Sequence, residues 1–183
     1  MSRDSCLLVI ALVVALIAAV FDLRQHRIPN RLTYPSIILG FVLQGVFGWK
    51  GGVVFVWKGL LNALLGCLLA GGIMFLFYAV RAMGAGDVKL LAAIGALVGW
   101  RQAVVVLLAT GICGGILAIV FALYRGRMVT TLKNLGSVLR FHAWAGVHAH
   151  PEFNLDNPAA LRMPYGLAIA LGTLYAVVAI WWR

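Results

Sequence analysis

Residues 5–30 read SCLLVIALVVALIAAVFDLRQHRIPN. The run from Ser5 to Phe21 carries no charge, and Asp22 then stands directly ahead of Arg24, His26, Arg27 and Pro29. An uninterrupted apolar stretch approaching about 20 residues reads as a membrane-crossing helix, because lipid offers no partner to backbone groups that a helix does not satisfy itself. The carboxylate that closes this one needs a reason, since Asp and Glu together number five in 183 residues.

The rest of the chain repeats the pattern. Hydrophobic residues make up 63% of it, against roughly 45–50% in soluble domains, and the mean hydropathy is +1.01. Six apolar spans are expected, at about 6–22, 32–48, 56–80, 88–100, 102–124 and 164–182. The expected fold is all-α: a polytopic transmembrane helical bundle forming one integral-membrane domain over 1–183. Span 88–100 is the shortest, rising only about 20 Å. Lys89 can snorkel at one of its ends, and Trp100 suits a membrane interface at the other.

The net charge of +10 is spread between apolar segments rather than gathered on one face, which argues against a nucleic-acid partner and for a topological role. With the N-terminus outside, Arg24, Arg27, Arg31, Arg81, Lys89, Arg125, Arg127, Lys133, Arg140 and Arg162 lie inside, and Arg3, Lys50, Lys58, Arg101 and Arg183 outside. That excess follows the positive-inside rule, and it would reverse if 88–100 did not cross. Both termini are therefore expected outside the cytoplasmic membrane. Asp22 and Asp87, 65 positions apart, then fall at one depth, the cytoplasmic face.

Loop 125–163 carries Met128, Leu132, Leu135 and Leu139 at helical spacing, with Arg127, Lys133, Asn134, Ser137 and Arg140 on other faces. It reads as an amphipathic helix on the inner leaflet, followed by the turn-rich HAHPEFNLDNPAA. Cys6, Cys67 and Cys113 match neither a metal pair nor a disulfide framework. A signal peptide is disfavoured at the N-terminus, because Asp4 offsets Arg3 and the stronger charge cluster follows the apolar run.

Asp87 sits in MGAGDVKL, where an Asp at a helix start can simply cap it. Asp22 has no such excuse, for a carboxylate at a helix C-terminus meets the negative end of the dipole. Pairing with Arg24 or Arg27 is the plain structural alternative. Together the two aspartates suggest more, since carboxyls within a few ångströms of one another share a proton and can act on one water as base and acid. The helix ends would make Asp87 the base and Asp22 the acid. A small proton-coupled transporter using both as carriers is the competing reading. Against it, both carboxyls sit at one face and no inverted repeat is visible. A non-catalytic protein with a vestigial site is a third reading, disfavoured by the intact pair.

GAGD (84–87) fits the Gly-x-Gly-Asp signature of intramembrane aspartyl proteases. FDLRQHRIPNRLT (21–33) resembles the first-aspartate motif of the type IV prepilin peptidases. GAGDVKLLAAIGALVGW (84–100) resembles their second, and MPYGLAIALG (163–172) their C-terminal motif. The resemblance implies a bacterial inner-membrane endopeptidase that removes the basic leader of prepilins at the cytoplasmic face. It implies Asp22 and Asp87 as the catalytic pair, Gly84, Gly86 and Lys89 as the loop that shapes the site, no metal and no cofactor. Its partners would be a prepilin helix, the bilayer and the pilus or secretion machinery. Arg24, Arg27 or Lys89 would suit an acidic residue just past the cleavage point. Longer members also N-methylate their product and carry Cys-x-x-Cys pairs. This chain has none and begins directly at its first helix, so it is similar to the short class of tight-adherence and archaeal preflagellin peptidases, with no ground for expecting methyl transfer.

Pro29 and Asn30 are expected to break the chain and cap the second helix, and Pro164 to open the last. His142, His148, His150 and Glu152 match no common zinc spacing, and His26 reads as a lipid-headgroup contact. Gly66, Gly71, Gly72, Gly111, Gly114 and Gly115 read as close helix contacts, or in part as lining for a groove that receives the substrate helix.

Overall fold

A computed structural model of the chain describes residues 3–49, 52–126, 136–137 and 164–182. Its helices are α1 (Arg3–Gln25), α2 (Asn30–Trp49), α3 (Val53–Ala79), α4 (Ala85–Val98), α5 (Trp100–Tyr124) and α6 (Tyr165–Trp181). No strand occurs among the described residues. The all-helical expectation holds. Of the expected amphipathic helix only residues 136–137 are described, both helical and exposed, and the rest lies outside the described residues.

Four of the helices, α1, α2, α3 and α5, are long and apolar enough to cross a membrane. The other two are shorter: α4 has 14 residues and α6 has 17, where a perpendicular crossing takes about 20. The expected count of six crossings is thus not shown by helix length. α4 nevertheless runs beside α2 for most of its course. Gly86 lies against Ile28, and Leu97 lies at Gln44.

Short α4 is the hub, touching all five other described helices, while α6 packs between α1 and α5 and α2 packs on α3. Residues Leu90, Leu91 and Ala93 to Val98 of α4 are all buried. α2 and α3 turn mostly small or polar residues inward: Thr33, Ser36, Gly40, Gln44 and Gly48 on α2, and Gly59, Ala63, Gly66 and Ala70 on α3, with Met74 the one large exception. Large apolar side chains such as Ile38, Val46, Leu61, Leu68, Ile112 and Ile116 point out. That reverses the soluble pattern and is what lipid favours, since helices in a bilayer gain from close backbone packing rather than from hiding apolar surface. Gly66 and Gly95 show the closeness best: a Cβ on either would run into the carbonyl oxygen of the other. Gly71 and Gly114 are also helix contacts, but Gly72, Gly111 and Gly115 have no atom within 4 Å of a would-be Cβ. For those three the expectation fails, because glycine is also tolerated on outward-facing surfaces of membrane helices.

A polar cluster closes one end of the bundle. Buried Gln44 donates from Nε2 to the Leu97 carbonyl at 2.9 Å, and its Oε1 accepts from Arg3 and from Asn62 Nδ2. Asn62 Oδ1 accepts the Trp100 N–H at 3.3 Å. The last turn of α4 and the first of α5 are so satisfied across the Gly99 corner, whose φ of 78° suits glycine. Asp22 and Asp87 lie at the opposite end.

Candidate active site

Asp22 occupies the last turn of α1, whose final carbonyls need partners from beyond the helix. One is supplied by His26, which donates its N–H to the Asp22 carbonyl at 2.8 Å while holding φ at 50°. This left-handed residue just past a helix end is a standard stop, and it turns the chain into the stretch that passes Ile28 and Pro29. The Asp22 side chain is buried, at 8% exposure. Its Oδ2 accepts the Gly166 N–H from α6 at 2.7 Å.

Asp87 stands in the first turn of α4 behind Gly84, the N-cap residue, rather than being the cap itself. Its Oδ2 lies 3.3 Å from where a Cβ on Gly84 would be, and a Cβ on Gly86 would stand 3.1 Å from that of Ile28. Both glycines therefore let neighbours approach closely, as the GAGD pattern implies. Asp22, His26, Arg27, Ile28, Gly84, Ala85, Gly86 and Asp87 line one cleft of about 240 Å³. Asp22 and Asp87, on different helices, thus line a common space to which His26 and Arg27 also contribute.

Other expected residues are distributed differently. Arg27 lines the cleft, whereas Arg24 is exposed and is not among the lining residues. Among the described residues, no ion pair joins Asp22 to either arginine; its side-chain partner is a backbone amide. Lys89 turns away to α2, where Nζ donates to Asn30 Oδ1 at 2.9 Å and lies 5.0 Å from the centre of the Tyr34 ring. Asn30 thus receives a lysine where a cap for its own helix was expected, while the Pro29 carbonyl accepts the N–H groups of Leu32 and Thr33. His26 belongs to the cleft wall as well as to the surface.

Gly166 is the functional neighbour that residue-type reasoning missed. Its place in the MPYG stretch was the available signal, but a backbone donor leaves no mark in residue chemistry. Ahead of it Pro164 holds φ at −67°, and Tyr165 lays its ring 3.1 Å from a would-be Cβ on Gly114 of α5. No group of three His, Cys, Asp or Glu side chains able to hold a metal occurs among the described residues. The stretch holding His142, His148, His150 and Glu152 lies outside them. Cys6, Cys67 and Cys113 are free thiols.

Comparison with known proteins adds a family signal. The model of the type IV leader peptidase family matches residues 9–119, a stretch that contains both Asp22 and Asp87. A protein of Aeromonas hydrophila named prepilin leader peptidase/N-methyltransferase is 31% identical over 133 residues, covering 70% of this chain and 44% of its own. One of the same name from Escherichia coli (strain K12) is 31% identical over 140 residues, covering 69% and 59%. The chain spans about half the length of these curated relatives. No solved structure matches it.

Proposed function

The chain belongs to the type IV leader peptidase family, and from that premise we propose that it is a membrane-embedded aspartic endopeptidase that removes the leader of a prepilin or pilin-like protein. The observation that carries the proposal is the common cleft of Asp22 and Asp87, both inside the matched region. In this reading the two carboxyls share a proton across one water. The ionised aspartate takes a proton from the water as it attacks the scissile carbonyl, and the protonated one then supplies the leaving amine. Neither step requires a metal or cofactor. Gly84 and Gly86 let Asp87 and the Ile28 wall close on the cleft.

The proposal includes a topology: six crossings, both termini outside, and the cleft at the cytoplasmic face of a bacterial inner membrane. The excess of Lys and Arg in the loops at the cleft end supports it. The substrate would lie with its apolar helix in the bilayer and its leader at the basic face, and pilus or secretion machinery would receive the product. Arg27, on the cleft rim, is better placed than Arg24 to meet an acidic group beyond the scissile bond. The relatives' names couple leader cleavage with N-methylation, and the proposal is confined to cleavage. Nothing observed favours a proton-coupled transporter.

Co-expression of a prepilin with wild type, Asp22→Asn or Asp87→Asn tests the reading. Asn keeps the shape of the side chain but cannot exchange the shared proton. Both variants should insert normally and leave the leader uncut, and chelators should not slow the wild type. Normal processing by either inserted variant would exclude a catalytic pair.

A further inference from the structure

We propose that the Gly166 amide is a positioning group of the catalytic centre: by holding Oδ2 of Asp22, it leaves Oδ1 as the oxygen through which that aspartate acts. The inference rests on Asp22 and Asp87 being the catalytic pair.

The geometry has several independent parts. At 2.7 Å the contact is at the short end for an amide donor, as expected when the acceptor is a carboxylate. Gly166 is the second residue of α6, so its N–H has no partner within the helix and is free to serve a group outside it. A donor at a helix N-terminus also adds the positive end of the peptide dipoles. There is little room for a side chain there: a Cβ at 166 would stand 3.0 Å from both Cβ and Oδ2 of Asp22 and 3.3 Å from Ala19 Cα, so Asp22 would have to give by a few tenths of an ångström. Finally, the amide is braced, with the Pro164 ring fixing the backbone before it and Tyr165 packed on α5.

An oxygen that accepts an N–H uses a lone pair, and a proton placed on the same side would meet the donor head-on. A proton on the second lone pair of Oδ2 would weaken that oxygen as the amide's acceptor, so the contact favours Oδ1 as the oxygen through which Asp22 gives or takes its proton. A carboxyl free to rotate would present either oxygen, whereas this one presents a single oxygen in a fixed orientation. That is the kind of preorganisation from which catalytic sites gain rate without gaining substrate affinity.

The test replaces residue 166 with glycolic acid by nonsense suppression in cell-free synthesis of the full chain into nanodiscs. The ester has nearly the shape of glycine but lacks the N–H, and it removes no bond from the α6 ladder. A second ester at Gly172, within that ladder, serves as control. The substrate is a synthetic chain with a short basic leader, a glycine and an apolar helix. The 166 ester should lower kcat about 10- to 100-fold, the range for a hydrogen bond to a charged group, with KM unchanged. The 172 ester should lower the folded yield but not kcat per folded molecule. Should the 166 ester fail to insert, Gly166→Ala, which keeps the donor but drives a Cβ toward Asp22, should show the same loss in kcat alone. Wild-type kcat in the variant measured, or equal losses in kcat from both esters, overturns the inference. If Asp22→Asn is inactive in the same assay, the catalytic pair survives that outcome; if Asp22→Asn is active, the pair itself falls.

Discussion

Replacing Gly86 by alanine sets two effects of opposite sign against each other. Inside a helix, alanine is favoured over glycine by about 1 kcal/mol, so propensity alone makes the variant more stable. Packing says otherwise. The new Cβ would stand 3.1 Å from Ile28 Cβ, 3.5 Å from its N and 3.6 Å from Cγ1. Carbon atoms rest at about 3.5–4.0 Å, so the stretch before Pro29 must retreat by roughly half an ångström. Ile28 has little torsional freedom with which to absorb this, because a following proline restricts the residue before it. The displacement therefore passes to the cleft wall that Ile28 helps to form. Misplacement by about 1 Å can cost on the order of 100-fold in rate, so half of that should cost roughly 10-fold. The assay is a double-mutant cycle on substrate cleavage: Gly86→Ala, Ile28→Gly and the pair, with thermal melts in parallel. Removing the Ile28 side chain makes room for the new methyl, and most of the lost rate should return in the pair. Wild-type rate in Gly86→Ala, or a loss just as large in the Ile28→Gly background, would refute the steric reasoning.

Three further outcomes are expected. Gln44→Leu strands the Leu97 carbonyl and removes the acceptor shared by Arg3 and Asn62. It should destabilise the bundle by about 2 kcal/mol, read as a lower midpoint in denaturant, while cleavage per folded molecule stays normal because the cluster is at the far end from the cleft. Lys89→Met breaks the link to Asn30 and the contact with Tyr34. The link is exposed, so a loss of about 1 kcal/mol or less is expected, with Lys89→Arg retaining part of the Tyr34 contact. The pH dependence of kcat/KM should be bell-shaped, since activity needs one proton on the pair, neither two nor none; a profile with only one limb between its extremes would argue against a shared proton.

Much of the site was legible because charge is scarce in this chain. A carboxylate in an apolar chain is costly enough that each one signals a cause, and charge asymmetry alone puts Asp22 and Asp87 at one end. GAGD was readable for a similar reason: glycines flanking an acid announce close approach, and Gly86 does meet Ile28. Harder to read was anything carried by the backbone. Every residue but proline owns an N–H, so nothing in the residue chemistry singles out the one at 166 that reaches Asp22. The helix-end reasoning that made Asp22 the acid considered only its own helix, and α6 adds the N-terminal end of another. The resemblance placed Lys89 in the loop that shapes the site, yet two positions along a helix from Asp87 turn a side chain by about 200°, and Lys89 reaches α2. Glycines gave a mixed signal, since the residue that lets two helices touch also fits where nothing touches at all.

The bond between Gly166 and Asp22 joins residues 144 positions apart. During synthesis, Asp22 and Asp87 are both in the membrane long before α6 exists. Until that helix inserts, Asp22 lacks its amide partner, and α1 lacks the neighbour that holds its last turn. If Asp22 and Asp87 are the catalytic pair proposed above, a nascent chain would carry both acids before the amide that positions one of them exists. Its completion would be timed by the ribosome, which gives the newest helix the final say over the oldest.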